Sequence, residues 1–518
     1  MLLGFNFVGL MATTLLALSS SAATSQSFTG VNSTGFPPCD ALIEAGLSNR
    51  LLFATDPEYG PRIESYWAWN TRRHPYCIVQ PQNAKEVSTA MTALLGSEAG
   101  AGDGTGAGAW YIAVRAGGHN LGYSNNIDTG VTIDLKYLNQ TTYDSKTNIA
   151  STSPGSHWED VYAELHKHGV VVTGGRDGDV GVGGFLLGGG STYYMAQTGF
   201  GCDSIKNFEV ALTNGTIINA NGDENSDLWR ALKGGGSNFG IVTRYDMEAL
   251  EDKYIAHGQR AMLGNYSTEL VDAVVDFTNN QKKYDKDALV AILVHKGGED
   301  ILATIEVNTD GVRNSSAFNK LRQIPQVSPF TQDILPLSVA AANSTLPSNA
   351  WTLQTTLTFK NDKRILNHAA KVHKQFAQKL TQDIGEKNYY SIVFFQPLPS
   401  FYTEISEEKG GNMFADTLKD HNAILWTAGV FVYTNQSDFA VAQLRMNEMV
   451  AELKSFSASI GGENPLIYLN YADFSQNPLG SYPKENVDHM RKVAAKYDPK
   501  RDFQTRFPGG FKISRVEA

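Results

Sequence analysis

Cysteine is scarce in this chain. Its 518 residues hold three, Cys39, Cys77 and Cys202, too few for a disulfide framework and without a paired Cys-x-x-Cys spacing. The 11 histidines show no metal-ligand spacing either, so no metal site is expected. Positive charge is the minority sign. Forty-three Lys and Arg stand against 53 Asp and Glu, a net charge of -10. That balance argues against nucleic acid or an anionic membrane as partner. No apolar run beyond the N-terminus is long enough to span a bilayer. No glycine run ends in Gly-Lys-Ser/Thr, which excludes a Walker loop. A Rossmann unit is also absent, because no G-x-G-x-x-G is followed by an acidic residue roughly 20 positions on.

The N-terminus reads as a leader. Leu2 to Leu18 is apolar but broken by Asn6, Thr13 and Thr14, too short for a membrane anchor. Ser20 to Ala23 offers small residues for cleavage, so residues 1–23 are expected to be a signal peptide, although no Lys or Arg precedes the apolar run. Sequons at Asn32, Asn139, Asn214, Asn265, Asn314, Asn343 and Asn435 agree with a secreted or secretory-pathway glycoprotein. Normal hydrophobic content predicts packed cores, and the length suits two domains.

Glycine is what the chain has in excess: 49 residues, many in three clusters. The first is Arg115-Ala116-Gly117-Gly118-His119-Asn120, directly after the strand-like Trp110 to Val114. The second, Gly181 to Gly190, follows the strand-like Gly169 to Thr173. The third runs from Gly234 to Thr243. One Gly-Gly turn is only a turn. Three within a domain's length suggest a long phosphate-bearing cofactor threaded between backbones, since no Cβ blocks their N–H groups.

These loops resemble the flavin loops of the vanillyl-alcohol oxidase superfamily, with its PCMH-type FAD-binding domain, and specifically the berberine bridge enzyme-like family of fungi. Arg-x-Gly-Gly-His is similar to its histidyl-flavin loop, and Val180-Gly181-Val182-Gly183-Gly184 to its second loop. Gly234 to Thr243 is similar to its third. Tyr468-Leu469-Asn470-Tyr471 resembles its Tyr-x-Asn-Tyr motif. Tyr497-Asp498-Pro499 and Pro508-Gly509-Gly510-Phe511 resemble its closing segment. The resemblance runs from about Cys39 to the end.

The resemblance implies FAD, cradled by Arg115, Ala116, Gly117, Gly118, Asn120, Val180, Gly183, Gly184, Gly188, Gly240, Ile241 and Val242. His119 would be bonded through its ring to the flavin 8-methyl position, as a neutral imidazole is a competent nucleophile. Taken alone, His119 would be an ordinary loop histidine. Many relatives hold the flavin again through a cysteine three residues before the Val180 position. This chain has Asp177 there, and a carboxylate cannot form a thioether. A single covalent link is therefore expected, which disfavours bulky oligosaccharides. Relatives also bridge an early cysteine to one just before the histidyl loop. The Gly/Ala run from Gly96 to Ala109 holds none, so Cys39 is expected unpaired. Cys77 and Cys202 are read as small core residues.

Val180 resembles the small residue of oxidases at the point where O2 reaches the flavin; its other reading is simple packing. Tyr468 is the first candidate for the base, with Asn470 orienting it or the flavin. Both could instead be interdomain packing residues. Free tyrosine ionises near pH 10 and needs a cationic or hydrogen-bonding neighbour. The family's other base position falls near Trp426 and Thr427, neither a carboxylate, with Asp420 and His421 as weaker candidates.

The expected fold is α+β. Residues 39–252 form the FAD-binding domain. Residues 253–468 form a substrate domain, and 469–518 return to the FAD domain. Strand-like runs at Ala288–Val294, Ile301–Val307, Trp351–Phe359, Tyr389–Phe395 and Ile424–Tyr433 alternate with helical patterns at Leu270–Tyr284, His368–Ile384 and Ala440–Ile460. That alternation predicts an antiparallel sheet with helices on one face, its free face roofing the flavin. The expected activity is hydride removal from a small alcohol, phenol or amine of secondary metabolism, with O2 reoxidising the flavin to give H2O2. The alternatives are a carbohydrate oxidase, or a cyclase with a redox-silent flavin. The oligomeric state stays open.

Overall fold

The computed structural model describes residues 33–97, 109–122 and 125–517. The proposed signal peptide, the Asn32 sequon and most of the Gly/Ala run lie outside these residues. Two larger sheets build the first half, beside a two-stranded pair of Val170–Val171 with Leu250–Glu251. A small one orders Leu51–Leu52, Cys77–Val79, Gly130–Asp134 and Tyr111–Arg115, the last three running parallel. Burial on both sides suits such strands, and all five residues of Gly130–Asp134 are buried. The second sheet is antiparallel: Thr141–Asp144, Ile149–Thr152, Ile241–Glu248, Ile205–Ala211 and Ile217–Asn221.

From Ile255 the chain builds an eight-stranded antiparallel sheet. Its central strands are Glu299–Asn308, Asp287–Lys296, Tyr389–Leu398, Ala423–Val432 and Trp351–Lys360, in that spatial order. Side chains alternate between its faces with period two. Leu293, Val393, Phe395, Trp426, Val430 and Leu357 point to the helices Ser267–Asn280, Lys363–Ile384 and Gln436–Ser459. Fully burying each such side chain stabilises by about 1.5–3 kcal/mol. The other face carries Val290, Ile292, Val294, Ile392, Phe394 and Thr427, and it looks towards the first half. After Tyr468 the chain packs on the first half again. Ile112 N–H donates to Arg506 O, and Asn238 donates to Phe511 O.

One expectation fails here. Cys39 is bonded to Cys77. The helix Pro37–Glu44 carries Cys39 into the core that also holds the Cys77–Val79 strand, with the two Cα atoms 6.3 Å apart. The strand order, which puts Cys77 rather than the approach to the first glycine loop beside that helix, decides the partner. Cys202 is buried and free.

Candidate active site

The first two glycine loops cross backbone to backbone. A Cβ on Gly117 would lie 2.5 Å from Gly181 Cα, and one on Gly181 equally close to Gly117 Cα. Only glycine fits at both positions. Gly118 turns with φ +89, which glycine adopts without strain. The loops open onto one cavity of about 1220 Å³. That volume exceeds the usual 300–1,000 Å³ of a small-ligand site, as a long cofactor plus a substrate requires. Ala116, Gly117, Gly118, His119, Asn120, Val180, Gly183, Gly184, Gly240, Ile241 and Val242 all line it.

Two expected members do not. Arg115 is buried away from the cavity. Its guanidinium donates to Arg62 O and Ser65 O and stacks over Tyr66, so it anchors the loop rather than a ligand. Gly188 serves packing. A Cβ there would sit 2.0 Å from Asn470 Oδ1. Asp420 and His421 also lie off the cavity; His421 pairs with Asn464.

His119 stacks on Trp67 with ring centroids 4.4 Å apart. Burial pushes its imidazole down to about 4, against the pull of Asp179, whose carboxylate lies 3.9 Å away. His157 keeps Asp179 nearby, its Nδ1 at 2.6 Å from Asp179 O. The ring is therefore neutral at ordinary pH. Its Nε2 is buried without a hydrogen-bond partner. A neutral, oriented imidazole at the cavity wall has the chemistry of a nucleophile or metal-free tether. Gly184 adds to the fit with a flavin cofactor, because a Cβ there would project into open cavity space.

The Tyr-x-Asn-Tyr segment forms the junction between halves. Tyr468 is buried, and its hydroxyl accepts from Gly190 N–H at 2.7 Å. Burial holds its phenol well above the ordinary range. Asn470 donates to Phe185 O at 2.9 Å. Tyr471 differs: its hydroxyl accepts from Arg176 Nη2 at 3.1 Å, and Arg176 also donates to Gln396 Oε1. Arg176, Gln396 and Tyr471 line the cavity where the glycine-loop half meets the sheet. Asp177, next in the chain, accepts from the N–H groups of Asp179 and Leu346. Burial pushes its carboxyl up to about 7. Thr427 faces the cavity and Trp426 faces the helices.

Sequence reasoning did not find Trp67, Arg176 or the Arg176–Tyr471 hydrogen bond. A charged residue inside the glycine-rich Gly174-Gly175-Arg176-Asp177 was the available signal for Arg176. Trp67 left none, because its partnership with His119 exists only in three dimensions.

Comparison with known proteins agrees with this geometry. The pattern of the family described as FAD binding domain matches residues 75–221. The chain is 35% identical over 487 residues to the FAD-dependent monooxygenase drtC of Aspergillus calidoustus, covering 92% of this chain and 90% of the relative. It is 33% identical over 485 residues to the FAD-dependent monooxygenase sdcF of Emericella nidulans, covering 92% and 98%. Its fold is similar to that of the Physcomitrella patens BBE-like 1 variant, with a TM-score of 0.70, 16% identity, and coverage of 90% and 97%.

Proposed function

The chain belongs to the berberine bridge enzyme-like family of PCMH-type FAD-dependent oxidoreductases, and from that premise we propose that it is an oxidase of a small alcohol, phenol or amine of secondary metabolism. Bound FAD supplies a hydride acceptor that O2 reoxidises, with release of H2O2. The observation that carries the reading is the single cavity joining the glycine loops to an apolar sheet face, with Arg176 and Tyr471 at the join.

Within that reading His119 tethers the flavin, since its imidazole is neutral and buried beside the first loop. Tyr471 rather than Tyr468 takes the substrate proton. Its hydroxyl sits at the join of the two halves beside the Arg176 guanidinium, whereas the Tyr468 hydroxyl is committed to Gly190. Val180 lines the same cavity and stays small where O2 would approach. Asp177 occupies the place of the second tether and supports a single link. The apolar sheet wall disfavours a carbohydrate. Secretion belongs to the same proposal; the Cys39–Cys77 disulfide supports an oxidising compartment. A mature N-terminus at residue 24 in a culture supernatant tests it.

Oxygen uptake tests the reaction. One H2O2 released per O2 consumed and per substrate lost supports the oxidase. Incorporation of labelled oxygen from O2 into product, as the relatives' monooxygenase name specifies, overturns it. Cyclised product without oxygen uptake overturns it too.

A further inference from the structure

We propose that the substrate is an apolar molecule ending in an acidic oxygen (a carboxylate, phenol or enol), and that Arg176 binds that end. The inference deepens the reading above, because it takes the sheet side of the cavity as the substrate site.

The wall is aliphatic and aromatic. Val290, Ile292, Val294, Ile305, Ile392 and Phe394 project from three adjacent strands onto one face. Such a surface rewards an apolar body and leaves hydroxyls set against it without partners. Polar groups flank this wall: Lys296, Tyr390 and Tyr433 at one end, Gln396 and Thr427 at the other. Gln396 and Thr427 are diagonal neighbours on the same face of adjacent strands, and Thr427 Oγ1 is buried with no hydrogen-bond partner in the fold. Arg176 reaches this end from the glycine-loop half.

Among the described residues, Arg260 alone of the cavity's cations has a carboxylate partner, and Arg176 is the one that reaches the Gln396–Thr427 end. Arg260 is tied to buried Glu306 at 2.8 Å. Lys512 donates to Ser237 O beside the third glycine loop. Lys296 is exposed at the rim. Arg176 donates to Gln396 Oε1 and the Tyr471 oxygen and has no carboxylate within ion-pair distance among the described residues. Asp177 beside it is engaged by two backbone N–H groups. A guanidinium has five N–H donors in a fork suited to an oxyanion. Two named acceptors leave it donors for a third. A half-buried cation facing an apolar chamber is costly unless a ligand brings the opposite charge.

The test uses the flavin-loaded enzyme and two probes of nearly equal shape, 4-butylbenzoate and 4-butylbenzamide. Titration is followed by the change in flavin absorbance, so no turnover is required. The oxidase reading can then fail on oxygen uptake while this inference stands, or the reverse. The benzoate is expected to bind at least ~10-fold more tightly than the benzamide, the scale of a charged hydrogen bond. Arg176→Gln should abolish that preference, Arg176→Lys should keep part of it, and Lys296→Gln should keep all of it. Equal binding of the probes, binding of neither, or loss of the preference in Lys296→Gln overturns the proposal. Survival of the preference in Arg176→Gln does the same. The wild-type and Lys296→Gln arms remain decisive if Arg176→Gln does not fold.

Discussion

Two tyrosines three residues apart hold different partners. Both line the cavity, as Asn470 does, but Tyr468 gives its oxygen to Gly190 N–H and Tyr471 gives its oxygen to the Arg176 guanidinium. Tyr471→Phe should therefore lower kcat/KM by ~10²–10⁴, the range of general-base catalysis, with flavin content unchanged. Tyr468→Phe should instead cost about 1–3 kcal/mol of stability by orphaning the Gly190 donor, read by chemical denaturation. Asp177 makes a pH prediction. Burial raises its carboxyl from 3.8 to about 7 in the fold, so the folded state holds a proton that the unfolded chain has lost. Its stabilising contribution is full below about pH 4 and is lost as pH rises through about 7. The melting temperature of the wild type should fall relative to Asp177→Asn across that window. A constant difference would show that Asp177 does not titrate there. At this scale the glycines were legible in the sequence, because close backbone approach admits no other residue. Arg176 was not: its partner Tyr471 lies 295 positions away and only folding brings them together.

Elements were legible where burial imposes a period. The five long strands expected from β-branched and aromatic runs appear within a few residues of their expected ends. The strand Ile255–Leu263 was missed, because His257, Gly258, Gln259 and Arg260 break its apolar alternation. Arg260 is tolerated there through its pairing with Glu306 on the neighbouring strand, a bond to Gln326 Oε1 and the Phe330 ring. The disulfide was illegible for a related reason: partner choice follows sheet order, not spacing. It closes a sequence separation of 38. Cys77→Ser should cost about 2–4 kcal/mol, measured by unfolding under oxidising conditions, while reductant should leave the variant's midpoint unmoved. The loop crossing makes a second prediction at this scale. Gly117→Ala must push the first two loops apart, so it should lose flavin even where the protein remains folded by circular dichroism.

The whole molecule is two halves closed around one cavity, with the chain's last segment returning to the half that began it. Lys512 donates to Ser237 O, and Ile513 N–H to Asn238 Oδ1, so the final residues fasten the third glycine loop. Substrate chemistry and flavin seating therefore depend on both halves together. We propose that His119 alone tethers the flavin. Acid precipitation of the loaded protein, followed by mapping of the coloured peptide, tests it most directly. Colour should stay with the wild-type precipitate on the peptide containing His119, stay in Asp177→Ala, and pass to the supernatant in His119→Ala. Colour in the wild-type supernatant, or flavin still bound after His119→Ala, would contradict it.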